Sequence, residues 1–111
     1  MYALTIKNPH AYNILYSGKD VESRTWKLPL NYQGVWIALH AAKTYDKSWP
    51  IVTIPKDYYG AIIGFVKFSD CVENSDSKWA IPGQYHWLIS ETTTLSNPIP
   101  CKGALGFWRY L

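Results

Sequence analysis

Gly18-Lys19-Asp20-Val21-Glu22-Ser23-Arg24-Thr25-Trp26 is where the chain changes character. From Val21 onward its residues alternate. Val21, Ser23 and Thr25 fall on one side of an extended backbone, and Glu22, Arg24 and Trp26 on the other. That alternation predicts a strand with one charged, aromatic face. Upstream of it, Ala11, Ile14 and Leu15 recur at helical spacing. Asn8 can cap the first amides of such a helix, and Pro9 is tolerated at its first position. Gly18 accepts the left-handed conformation in which helices end. A strand over Tyr2 to Lys7 precedes the helix.

Downstream, Gly34 to His40 and Gly60 to Cys71 read as apolar strands, with a short helix expected between them at Ala41 to Lys47. Trp49 to Pro55 and Asn74 to Lys78 read as loops, and Pro82-Gly83 as a turn. Tyr85 to Ser90 and Ala104 to Tyr110 complete the strands. The fold class predicted is mainly β with short helices (α+β), with about six strands in a small, strongly curved sheet or barrel.

The chain has 111 residues, the length of a single domain spanning 1–111. Hydrophobic residues are 48% of it and charged residues 17%, enough for a core and too few charges for a disordered chain. No apolar run approaches the ~18 residues of a membrane span. Met1 to Lys7 lacks the basic-then-apolar order of a signal peptide, so the expected compartment is the cytoplasm. The net charge of +3 permits an anionic partner without requiring one. Aromatic residues are 16% of the chain, with six Trp and nine Tyr, more than a small core needs and suited to pockets for planar ligands. Cys71 and Cys101 stand in no CxxC spacing, and His10, His40 and His86 share no metal-ligand spacing. Two reduced thiols, no metal site and no cofactor are therefore expected.

The order of these pieces resembles the ASCH domain family, a branch of the PUA-like superfamily. The resemblance rests on Leu4-Thr5-Ile6, Pro9, Gly18-Lys19-x-x-Glu22-x-Arg24, Leu39-His40-Ala41-Ala42-Lys43, Gly60 to Val66 and Gly103-Ala104-Leu105-Gly106-Phe107-Trp108. It covers almost the whole chain. Two departures stand out: Gly18 abuts Lys19 directly, and His10 follows Pro9 where bacterial relatives often carry Trp. The resemblance implies a small PUA-like β-barrel with a cleft beside it, and a partner that is nucleic acid (RNA ahead of DNA) or a free nucleoside or nucleotide. One bacterial ASCH branch hydrolyses the amide of N4-acetylcytidine through a K-x-x-T-x-R motif. Here Lys19 and Arg24 match that motif, but Glu22 stands at the Thr position.

The candidate ligand-binding residues are Lys19, Glu22, Arg24, Trp26, His40 and Trp79. Lys19 can hold phosphate as a point charge or, if crowded out of water, act as base or nucleophile; it can equally be an exposed residue at a helix end. Arg24 offers a planar fork to phosphate or a base edge. Glu22 can accept from an exocyclic amine or orient Lys19, and with Arg24 it can also form a plain ion pair. Trp26 and Trp79 can stack a base or simply pack. His40 ends an apolar strand and can be structural or face a pocket. Gly103 reads as a site of close approach, and Trp108 as core. The function expected is an RNA- or nucleotide-binding module whose cleft takes a nucleobase, plain or modified. The alternative is a small hydrolase, either an amidohydrolase on an acylated base or a ribonuclease, using Lys19 and Glu22.

Overall fold

Six strands and one helix carry the chain in a computed structural model that describes residues 1–111. They are β1 (Tyr2–Asn8), α1 (His10–Tyr16), β2 (Val21–Arg24), β3 (Trp36–Tyr45), β4 (Ala61–Val72), β5 (Tyr85–Pro100) and β6 (Phe107–Arg109). The strands form one mixed sheet in the order β2-β5-β4-β3-β1-β6. Only β1 and β3 pair in parallel. No helix is long and apolar enough to cross a membrane.

Local chemistry explains the start of the fold. Pro9 occupies the N-cap of α1, and the Asn8 side chain does the tethering. Its Oδ1 accepts the Tyr12 amide at 3.2 Å, and its Nδ2 donates to the Tyr58 carbonyl at 3.0 Å. Ala11 and Ile14 face the core as the helical spacing requires. Gly18 takes φ +75°, and the chain turns so that the Lys19 amide donates back to the Asn13 carbonyl at 3.1 Å. That bond fixes where Lys19 leaves the helix. The helix packs over Gly64, where a Cβ would lie 2.7 Å from Leu15 Cδ1 and 2.5 Å from the Thr93 carbonyl.

The core is centred on Trp87, which is fully buried. Its indole meets Trp26 and Phe68 edge-on and stacks on Phe107, and its Nε1 donates to the Trp26 carbonyl at 3.1 Å. A smaller cluster of Ala3, Ala38 and Ile62 occupies the other side of β1, β3 and β4.

Three expectations are corrected. Residues Ala41 to Lys47 do not form a helix: β3 continues to Tyr45, because Ala41 is paired on both sides, with Ile6 and with Ala61. Tertiary pairing overrides the helix preference of Ala41-Ala42. β5 continues to Pro100, ten residues beyond the expected end at Ser90, since Thr92, Thr93 and Thr94 pair with β4. Finally, the sheet does not close into a barrel. β2 and β6 are free edges. The sheet nevertheless curls until its ends meet through side chains. Arg24 Nη2 on β2 donates to the Thr5 carbonyl on β1 at 3.3 Å, and Trp26 lies 6.0 Å from Phe107 on β6.

Candidate functional site

The seam between these two ends is open, and a cleft of about 410 Å³ occupies it. That volume lies within the ~300–1,000 Å³ typical of small-ligand sites. Thr5, Ile6 and Lys7 of β1 form one wall, and Glu22, Ser23 and Arg24 of β2 the facing one. His10, Lys19 and Asp46 lie at its base, Ile81 and Gln84 reach in from the loop before β5, and Ala104 to Gly106 form the rim before β6.

Lys19 is the most deeply placed charge, its side chain 2% exposed. Its Nζ lies 2.9 Å from His10 Nδ1 and 3.6 Å from Glu22 Oε1. Burial pushes the ammonium below the ordinary lysine range; Glu22 opposes this, Arg24 adds to it, and Asp46 opposes it weakly. Arg24 Nε donates to the other carboxylate oxygen, Glu22 Oε2, at 3.0 Å. One buried carboxylate thus holds both cations of the sequence motif. Glu22 Oε1, only loosely held by Lys19, keeps lone-pair capacity for a ligand donor.

His10 extends the network. Its Nε2 stands 2.8 Å from Asp46 Oδ2. A charged Lys19 donates to Nδ1, which places the proton of the neutral ring on Nε2, donating to Asp46. Asp46 Oδ1 accepts from the Ser48 amide at 3.0 Å and the Ser48 hydroxyl at 2.6 Å. Ser48, then His10, hold the Asp46 carboxyl down at about 2. The Trp49 ring packs edge-on against His10 and lies 5.6 Å from Lys19 Nζ.

Of the six residues singled out in the sequence, the cleft brings together Lys19, Glu22 and Arg24. The other three do not line it. Trp26 lies beyond the last residue of β2, so the alternation no longer applies to it, and its ring joins the core against Trp87. His40 is buried with both nitrogens engaged: Nε2 donates to the Cys101 carbonyl at 2.8 Å, so Nδ1 accepts from the Thr5 hydroxyl at 3.1 Å. Trp108 Nε1 donates to that same hydroxyl at 3.0 Å. His40 is a structural residue. Trp79 does not line the cleft; it lies nearly parallel to Trp49, ring centroids 6.4 Å apart, one ring removed from Lys19.

The sequence missed His10 and Asp46 as members of the site, and Trp49 as its neighbour. His10 was visible in the sequence after Pro9, but Asp46 and Trp49 lie in a short loop with no local signal. The apolar faces of the cleft are aliphatic, chiefly Ile6, Ile81 and Leu105. No protein-family model matches the chain, and no curated protein matches it.

Proposed function

We propose that this chain is an ASCH-like, PUA-like binding module whose seam cleft takes a nucleobase, alone or within RNA. One observation carries the reading: Lys19 and Arg24 are drawn to the two oxygens of a single buried carboxylate and line one open cleft. Lys19 and Arg24 supply donors for a ring carbonyl or phosphate, and Glu22 supplies an acceptor for an exocyclic amine. Ile81 and Leu105 offer aliphatic faces to the ring. Lys7 at the mouth adds an exposed cation for a backbone phosphate. Titration of the protein with nucleosides and short oligonucleotides at several salt concentrations tests the proposal. Saturable binding at low salt, abolished in Lys19→Met and Arg24→Gln, is expected. Absence of saturable binding to every nucleoside and oligonucleotide overturns it.

A second reading, hydrolysis of an acylated base amide or of RNA by Lys19, is favoured by the burial of that amine and its lowered proton affinity. Turnover of N4-acetylcytidine and of single-stranded RNA, compared with Lys19→Ala, tests it. Equal rates in the two proteins remove Lys19 from any mechanism.

A further inference from the structure

We propose that Asp46, His10 and Lys19 form a proton relay that delivers Lys19 to the cleft as a neutral amine nucleophile. The inference deepens the second reading of the same cleft and names His10 and Asp46 as the residues that activate its lysine.

The geometry is a continuous chain. Lys19 Nζ stands 2.9 Å from His10 Nδ1, and His10 Nε2 stands 2.8 Å from Asp46 Oδ2. Exposure rises along it: the side chain of Lys19 is 2% exposed, that of His10 11%, that of Asp46 29%. The order is that of a nucleophile, an imidazole and an orienting carboxylate, with an amine in the place of a hydroxyl. Asp46 is itself anchored by two bonds from Ser48, which fix it as an acceptor toward His10.

The proton balance closes within the network. The Lys19 ammonium passes one proton to His10 Nδ1, leaving a neutral amine and an imidazolium. The imidazolium keeps its Nε2–H and donates it to Asp46, which stays ionised because its carboxyl is held at about 2. The total charge is unchanged; one positive charge moves from Lys19 to the more exposed His10. Burial of Lys19 favours that direction. The other charged groups facing the pair are Glu22 and Arg24 from β2 and Lys7 from β1. Glu22 retains the ammonium, Arg24 repels it, and Lys7 sits exposed at the mouth. The Trp49 ring borders both Lys19 and His10 and contributes no proton. The freed amine attacks the carbonyl carbon of an acylated amine presented in the cleft, and the carbonyl π pair moves to oxygen as the N–C bond forms. As that pair returns, the old C–N bond breaks and the His10 imidazolium gives its Nδ1 proton to the departing amine; the neutral ring then takes the proton released by the newly acylated Lys19 nitrogen.

Competitive labelling with trace acetic anhydride, read residue by residue by mass spectrometry from pH 6 to 11, tests the relay without a biological substrate. The exposed Lys56 and Lys102 serve as internal references. Lys19 is expected to acetylate at pH 7 well ahead of both references, relative to their rates at high pH. His10→Gln is expected to lower the Lys19 rate at pH 7 by roughly 10²-fold, the scale of general-base assistance. Asp46→Asn is expected to lower it by a smaller factor, with the rates of Lys56 and Lys102 unchanged. Nitrogen NMR of His10 supplies a second readout: a proton on Nε2 in the ground state, lost from that preference in Asp46→Asn. Equal Lys19 rates at pH 7 in wild type and both folded variants overturn the relay. A Lys19 that labels no faster than Lys56 in the wild type also overturns it. If the labelling behaves as expected while N4-acetylcytidine and RNA are not turned over, the relay stands and the hydrolase reading on those substrates falls.

Discussion

Glu22 is the residue on which the cleft depends most directly, since its carboxylate holds Lys19 on one oxygen and Arg24 on the other. Glu22→Gln leaves two cations facing each other with only the weak support of Asp46. A loss of about 3 kcal/mol is expected, the low end for breaking a buried pair because Arg24 keeps some water contact; urea unfolding at pH 7 measures it. Asp46 gives a pH-dependent counterpart. Its carboxyl is depressed in the folded protein, so its contribution is present above the unfolded value near 4 and is lost as pH falls through about 2. The melting-temperature gap between wild type and Asp46→Asn should therefore be constant above pH ~5 and close only below pH ~2. The Lys19 ammonium gives the same slope in an alkaline window, but its depression is a cost to the fold below that window. Its depressed value means the unfolded chain binds the proton more tightly, so this residue makes stability rise with pH from its lowered value up to the ordinary lysine range near 10.4. Lys19, Glu22 and Arg24 were legible in the sequence because spacing along one short segment brings them together. His10 and Asp46 are 36 positions apart, and no periodicity links a helix start to a loop after a distant strand.

At the scale of elements, the helix and the six strands were readable because each has its own period and its own stop signal. α1 ends at Tyr16, and Gly18 just past its cap lets the Lys19 amide turn back to Asn13. Elements defined by their neighbours were not readable. The end of β3 is a strand only because Ala41 has partners on both sides, and the Thr-rich half of β5 carries no apolar alternation to announce it. Two glycines at element contacts make this dependence testable. Gly64→Ala pushes a methyl against the Thr93 carbonyl and Leu15 and should cost roughly 1–3 kcal/mol by overpacking, read as a lower urea midpoint. At Gly103 a Cβ would stand 2.6 Å from Thr5 Oγ1 and 2.7 Å from His40 Cε1. Gly103→Ala should therefore disrupt the Thr5–His40 bond, visible as a changed His40 tautomer signal by NMR.

For the molecule as a whole, Trp87 is the point through which the two ends of the sheet share a core. It touches Trp26 after β2 and Phe107 in β6, the free edges on opposite flanks. Trp87→Ala should lower stability by roughly 3–5 kcal/mol. It should also loosen the cleft, so that base binding weakens more than the loss of fold alone explains. Equal affinity per folded molecule would show that cleft and core are independent.

The free edges have a further mechanical meaning. Backbone bonds do not lock β2 to β1 and β6; a guanidinium reaching a carbonyl and a few packed rings do. An occupant lodged there acts as a strut across a split ring, and its grip is felt by strands lying four places apart in the ladder. Amide deuterium uptake along Val21–Arg24 and along Tyr2–Asn8 should then slow in concert when the hollow fills, although few of those amides would touch what fills it.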